Sequence, residues 1–462
     1  MARATRRKGF AMKKTTILAA AAALLGVRAS AQSVYTNYYH WQWTPVEIAD
    51  TNAVNAVRGQ MDFTKPIHGP WLLNPSPDSI TICFITRIAC GAALDFREKG
   101  QEEFTRVWNT TYGMIDYSSD HHIFHLKGLK PATGYEYRLV TTMDGKRTYY
   151  SGIVTGREIY PFHTINPDKR TYKVFVTSDF HGGSRLNLDY LIRNTQSEDA
   201  DFHFFLGDNV EDSMNEARYY ITFGFLDDVV RLWGATNTTV FLRGNHDSWG
   251  LENYRWRDYF PRPDERGYFT FSQGPAMFIM FDTMAHGLGS AANRMVVGQY
   301  LQEQADWFRN LRKTPEWKKA KFRIAMGHYP THGGDPAAFM TPLRAAMNDR
   351  NPANRLHMYL CGHEHAYSRL DAGSTNSLVH AISPRWAFAP TNTYHEIICS
   401  LVEDMTIDVA PDKLVFKSHL WNKFPGTDLR DHFELYPDGR IKPLMEVASF
   451  PLPPPPQPKK KK

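Results

Sequence analysis

Five apolar runs in this chain each end in a small residue that is followed at once by side chains able to hold a metal ion. The first reads Val174-Phe-Val-Thr-Ser-Asp179-Phe-His181-Gly-Gly, and the second Phe202-His-Phe-Phe-Leu-Gly-Asp208-Asn-Val-Glu211-Asp212. Then come Val240-Phe-Leu-Arg-Gly-Asn245-His246-Asp247, Phe322-Arg-Ile-Ala-Met-Gly-His328-Tyr-Pro-Thr-His332 and Leu356-His-Met-Tyr-Leu-Cys-Gly-His363-Glu-His365. Strand ends of a layered α/β sheet are where such folds present ligand-binding loops, so the recurrence points to one shared centre. Mixed carboxylate and imidazole donors suit manganese, iron or zinc better than calcium, and the chemistry they imply is metal-assisted.

Taken one at a time these residues have plainer explanations. Asp179 or Asp208 at a strand end is a turn or helix-cap residue, the GNHD tetrapeptide is a turn, and His328 is a hydrogen-bonded core histidine. His363 and His365 are more pointed, because alternate side chains of an extended segment face the same way. Jointly the plain reading fails: this many carboxylates and imidazoles converging without a cation would leave charge and polarity uncompensated.

The five blocks, in this order, resemble those of the calcineurin-like metallophosphoesterases, and more closely the purple acid phosphatase branch. That family carries D-x-H or D-x-G, G-D, G-N-H-D/E, a later His, and G-H-x-H. The segment from Tyr254 to Asp282 and the stretch GHEHAYSR are similar to the branch's linking segments, while Leu126-Lys-Gly-Leu-Lys-Pro-Ala-Thr-Gly-Tyr-Glu-Tyr-Arg is similar to its N-terminal fibronectin-like domain. The resemblance spans roughly Ser79 to Asp371. It implies a centre of two metal ions: Asp179, His181, Asp208 and His365 around one, and Asp208, Asn245, His328 and His363 around the other. Asp208 would bridge the two. Such a pair lowers the pKa of bound water and neutralises phosphoryl oxygens, so that hydroxide attacks phosphorus in line with the leaving group. His246 would then hydrogen-bond a phosphoryl oxygen or protonate the departing alkoxide, and Asn245 would also meet substrate. The plainer alternative for His246 is packing of its turn.

Two departures from the family pattern matter. Purple enzymes carry a metal-bound Tyr three residues after the bridging Asp, and Glu211 stands there, so no purple colour is expected. Calcineurin-like phosphatases place an Asp there to orient the catalytic His; Glu211 or Asp212 could substitute, and an exposed loop acid is an equal reading. Arg185, Tyr329, His332 and Arg385 lie near the motif loops and are candidate substrate contacts, with solvated surface residues as the alternative. Trp249, Trp256 and Trp386 read as core or rim packing.

These loops need strands behind them. From about Val34 to Arg157 the sequence is a series of short alternating strands, including Ser79-Ile-Thr-Ile-Cys-Phe-Ile-Thr, His121 to Leu126, Tyr135 to Thr142 and Thr148 to Val154. Turn residues such as Pro131, Gly134, Asp144 and Gly145 punctuate them, which predicts a small antiparallel sandwich over 32–157. From Tyr172 apolar runs alternate with helix-like stretches such as Leu188 to Arg193 and Gln299 to Lys313, the pattern of a mixed α/β layered domain over 171–449. The resemblance implies four layers, α/β/β/α. Glu158 to Arg170 reads as a linker, because Pro161 and Pro167 discourage regular structure. The end, 450–462, is expected to be an extended Pro/Lys tail.

With 462 residues, 42% of them hydrophobic, the chain can bury more than one core. Its formal charge is +6, but residues 1–31 hold seven Lys and Arg and no acid; without them the balance is −1, and without the four terminal lysines as well it is −5. A nucleic-acid or membrane-surface role therefore has no electrostatic support in the folded part. Basic residues around Arg6 to Lys14, an apolar run from Ile17 to Val27 and Ala29-Ser30-Ala31 match a secretory signal cleaved before Gln32, with twin-arginine export as a variant. The apolar run is too short for a transmembrane anchor. Cys83, Cys90, Cys361 and Cys399 allow three pairings, and nothing in their spacing chooses one. The expected function is hydrolysis of small phosphate esters, phosphomonoesters first and phosphodiesters or nucleotides second. A non-catalytic surface-binding protein would show a lost ligand, and none is lost.

Overall fold

The computed structural model describes residues 45–48, 64–143, 152–181, 197, 199–210, 225–249, 253–283, 291–331, 334–374, 376–378, 392–399, 403–420 and 428–451. The expected leader, Leu188 to Arg193, Arg185, Glu211, Asp212, His332, Arg385, Trp386 and residues 452–462 of the expected tail lie outside these, whereas Phe450 and Pro451, expected to open that tail, belong to the strand Ser449–Pro451.

Two sheets stack face to face. In the first, seven strands run in the order Thr239–Phe241, Phe202–Phe205, Tyr172–Thr177, Glu403–Val409, Leu414–Leu420, Asp428–Leu435, Ile441–Pro443. The second holds eight, in the order Phe269–Gln273, Ala276–Met280, Phe322–Met326, Met358–Cys361, His395–Ile398, Ser368–Leu370, Asn376–Leu378, Ser449–Pro451. Three neighbouring strands of the first sheet are mutually parallel, as are the four from Ala276–Met280 to His395–Ile398 in the second. Parallel strands covered on both faces read as unbroken apolar runs, which is how these segments look. Alternate residues then divide between cores. Val174, Val176, Phe204, Phe278, Met280, Ile324 and Leu360 fill the space between the sheets. Met277, Ile279, Ala325, Tyr359 and Cys361 face outward against Leu301, Ala305 and Phe308 of the helix Ala291–Leu311, and Leu343 and Met347 of the helix Gly334–Met347. The expected helix from Gln299 thus forms the C-terminal half of a longer one.

The outer face of the first sheet is covered differently. Phe175, Phe205 and Phe241 meet Phe225, Leu226 and Val229 of the helix Phe225–Val229, but also Trp71, Leu73, Cys83 and Ile85. Those four belong to a three-stranded sheet of Pro66–Leu73, Ser79–Thr86 and His121–Lys127. Its opposite face, Leu72, Ile80, Ile82 and Phe84, packs on Ala92, Leu94, Tyr137 and Leu139 of a six-stranded sheet, which closes the N-terminal sandwich. The result is four layers, with the sandwich contributing part of one outer layer.

The linker expectation is corrected at one place. Tyr160–His163 is a strand that pairs antiparallel with Gly134 to Tyr137, so the N-terminal sheet continues past residue 157. Pro161 is accommodated because this strand has a single partner among the described residues, and an edge strand can spare an N–H. Cys83, Cys90, Cys361 and Cys399 are all buried, and no two of them pair with each other.

Candidate metal centre

Because the motif strands are parallel within each sheet, their C-terminal ends open on one edge of the two-sheet core, and the candidate side chains converge there. Asp179, His181, Asp208 and His365 offer ligand atoms that all lie within 4.8 Å of one another; so do Asp208, His328 and His363. Asn245 joins the second group, its Oδ1 standing 2.9 Å from His363 Nδ1 and 3.1 Å from His328 Nε2. Asp208 is common to both. Its Oδ2 lies 3.3 Å from His328 Nε2 and 3.9 Å from both His181 Nε2 and His246 Nε2, while its Oδ1 accepts the His246 backbone N–H at 2.9 Å.

The backbone is bent hard to achieve this. Of the non-glycine residues with positive φ among those described, five are candidate ligands: Asp179 (59°), His181 (51°), Asp208 (50°), His363 (76°) and His365 (53°). Each such residue costs on the order of 1 to 3 kcal/mol and persists only where its surroundings fix it. Here loop grips loop: Asp179 N–H donates to Gly207 O, His181 N–H to Asp208 O, and His363 N–H to the Asp179 carboxylate at 3.0 Å. Close approach also explains the small residue before each ligand, since a Cβ on Gly244 would overlap the Asp208 carboxylate and one on Gly362 would overlap Ser178 and Asp179. The extended segment expected at His363 and His365 is corrected: both residues have positive φ, so strand alternation does not bring them to the centre.

The donor set fits a cation on electrostatic grounds. His328 commits Nδ1–H to Leu206 O at 3.0 Å and turns Nε2 toward two oxygen acceptors, Asp208 Oδ2 and Asn245 Oδ1. A bare lone pair cannot face both, so Nε2 carries a proton or shares a cation. Without metal, burial alone would lower the pKa of His328, yet the Asp208 carboxylate overrides it and raises the group to about 9. His365 is also raised, through its hydrogen bond to Asp179, whereas burial lowers His181. His181 Nε2 and His365 Nε2 face each other at 3.0 Å, the disposition of two ligands aimed at one ion. Asp208 stays well below the ordinary carboxylate range, although its burial opposes this, because His328 and His246 adjoin it.

Residues 172–367 match the family model for calcineurin-like phosphoesterases. They form a calcineurin-like metallophosphoesterase domain. The domain's reaction class is metal-dependent hydrolysis of phosphate esters, and its site is suited to a metal centre. Among curated proteins no match is found. A solved structure of PhoD shares 12% identity at a TM-score of 0.56, covering 82% of this chain and 92% of that one. The purple acid phosphatase PPD1 of yellow lupin (Lupinus luteus) shares 13% at a TM-score of 0.56, covering 80% and 75%. Both are likenesses of fold, and they extend beyond the metallophosphoesterase domain into the N-terminal sheets.

Around this domain's loops stand residues that motif reading passed over. Asp247 Oδ2 accepts from Gly244 N–H at 2.8 Å and from Asn209 Nδ2 at 3.1 Å, tying two ligand loops together, and Thr283 Oγ1 accepts the N–H groups of His328 and Tyr329. Glu364 sits between two ligands with a buried Oε1 that has no hydrogen-bond partner among the described residues, and burial together with Asp179 pushes it to about 8. Asp247 and Glu364 lie inside the motifs already quoted; adjacency to a ligand was their only signal. Tyr329 is corrected as a substrate contact: it is fully buried, its ring 4.3 Å from that of His363. Trp249 is half-buried and packs on His246 with ring centroids 4.1 Å apart, as a rim residue would. No helix among the described residues is long and apolar enough to cross a membrane.

Proposed function

We propose that this metallophosphoesterase is a binuclear phosphomonoesterase. Asp179, His181, Asp208 and His365 would hold one ion, and Asp208, Asn245, His328 and His363 the other, with manganese, iron and zinc all compatible with these donors. The observation that carries the reading is the sharing of Asp208 by two donor groups, each compact enough for one ion. When bound, such a pair supplies a nucleophile from water near neutral pH and offsets charge on the phosphoryl oxygens. The chain's own residues do the rest. Asn245 and His246 line the place where a phosphoryl oxygen would sit, and His246, whose Nε2 stands 3.9 Å from Asp208 Oδ2, can hold the proton that a leaving alkoxide needs. The monoesterase choice follows the resemblance of the motif blocks to the purple acid phosphatase branch. Arg185 and His332 are proposed substrate contacts on their nearness in sequence to the motif loops. The N-terminal sandwich fits the fibronectin-like domain of that branch, and residues 1–31 fit an export leader, which intact mass of the secreted protein beginning at Gln32 would test.

The deciding experiment measures metal content together with turnover of matched aryl phosphate mono- and diesters, in the natural protein and in Asp208→Asn. Two ions per chain, faster monoester turnover and a loss of at least about a hundredfold in the variant are expected. Equal turnover in the variant removes the bridging role; faster diester turnover reassigns the substrate class.

A further inference from the structure

Two residues beyond His365 the chain enters a buried ionic knot that lies outside the ligand groups. Tyr367 OH donates to Asp431 Oδ2 at 2.7 Å, and Arg369 Nη1 reaches Asp431 Oδ1 at 2.7 Å and Oδ2 at 2.6 Å. All three side chains are almost wholly excluded from solvent, and the Arg369 guanidinium lies over the Phe433 ring at 4.6 Å. On its other side Arg369 Nε stands 3.2 Å from Asp371. The partners come from different sheets. Ser368–Leu370 is hydrogen-bonded to His395–Ile398 in the second sheet, whereas Asp431 belongs to Asp428–Leu435 in the first. At that point the first sheet carries an irregularity: Ser418 faces Asp431 but His419 faces Leu429, which leaves Arg430 as the extra residue. A bulge of this kind turns a side chain out of its regular alternation, and the residue beside it here is the buried Asp431.

Stability does not account for such an arrangement. Removing two charges from water costs about as much as their attraction returns, and apolar residues of similar volume commonly serve a fold as well or better. What the ionic knot supplies is direction: Asp431 fixes the exit of the His363-Glu364-His365 turn from across the inter-sheet gap. That turn needs an outside hold, because both histidines are in left-handed conformations. We propose that Asp431 is a positioning residue for the metal centre, acting through Tyr367 and Arg369 to set where His363 and His365 present their nitrogens. The proposal rests on the binuclear reading above.

Its test uses the full chain loaded with Mn(II), comparing the natural protein with the apolar double variant Arg369→Met/Asp431→Leu and with Tyr367→Phe. The double variant should fold with an unchanged or higher melting temperature, yet bind Mn(II) about tenfold or more weakly and alter the electron paramagnetic resonance signal of the coupled ion pair. kcat should fall with KM held within about twofold. Should the double variant not fold, Tyr367→Phe decides, since it removes one hydrogen bond at almost constant volume: about three- to tenfold weaker Mn(II) binding is expected. Wild-type affinity and spectrum in the variant that decides would overturn the positioning role alone. If the natural protein binds no pair of ions, the binuclear reading fails and this inference fails with it.

Discussion

At His328 two pH dependences of opposite sign meet in one imidazole. In the metal-free protein its pKa rises from the ordinary 6.5 to about 9, because Asp208 outweighs the burial that would lower it. A raised folded-state pKa contributes stability that is complete below pH 6.5 and is lost as pH climbs through about 9, so the metal-free protein should melt at lower temperature across that interval. A cation must displace the same proton, so metal affinity should rise over the same range, by up to about tenfold per pH unit for each proton released. Calorimetric titration of Mn(II) in buffers of differing ionisation enthalpy would count those protons; a pH-independent affinity with none released would refute this view of the ligand set. His246 offers a second test. Its Nε2 is 3.9 Å from Asp208 and its ring is backed by Trp249, so as a proton donor it matters most when the leaving group is basic. His246→Gln should lower kcat for an alkyl phosphate by about 10² to 10³, and for 4-nitrophenyl phosphate much less; equal losses on both would favour a role in binding the phosphoryl oxygen. Asp208 and His328 were legible in the sequence because each follows an apolar run and a glycine. Asp431 was not, since its significance comes from burial and from partners more than sixty positions away, which no local pattern records.

Between residues and fold stand the loops, and their shape departs most from what the sequence suggested. Alternation predicted an extended segment with His363 and His365 on one face; instead both residues have positive φ. Strand patterning cannot foresee this, because the φ values are fixed by contacts with Asp179, which is distant in sequence. Glycine spacing carried the information in another form. Gly244 and Gly362 stand where two ligand loops touch, with Asp208 against one and Ser178 and Asp179 against the other. Gly362→Ala should therefore separate the loops and weaken metal binding by about tenfold or more, with only a modest loss of stability because the strands behind it are untouched. Chelator competition and thermal melting on the same sample read the two effects separately; a variant that binds metal normally would show that the loops can yield.

For the molecule as a whole, the N-terminal sandwich does more than precede the metallophosphoesterase domain. The strand Ser79–Thr86 is buried along nearly its full length: Ser79-Ile-Thr-Ile opens with the alternation of a one-sided strand, but the run Cys83-Phe84-Ile85 is apolar on both faces. That run was visible in the sequence, but the partner of its second face was not, because inter-domain packing leaves no period. Trp71 is the centre of the contact: it is buried among residues of both domains and donates Nε1–H to Tyr259 O at 2.9 Å. Tyr137 OH likewise donates to Ala235 O, and His68 pairs with Asp227 at 2.9 Å. Without the sandwich, Phe175, Phe205 and Phe241 of the first sheet would lose part of their cover. The two parts should then unfold as one unit. Trp71→Ala removes a large buried ring and leaves Tyr259 O without its donor, a loss of about 3 to 5 kcal/mol, and it should shift a single transition that melts both parts and releases bound metal together. Calorimetry alongside a metal-release signal distinguishes the cases: if the variant melts in two steps, with metal release at the wild-type temperature, the sandwich is an independent neighbour and the shared layer does not couple them.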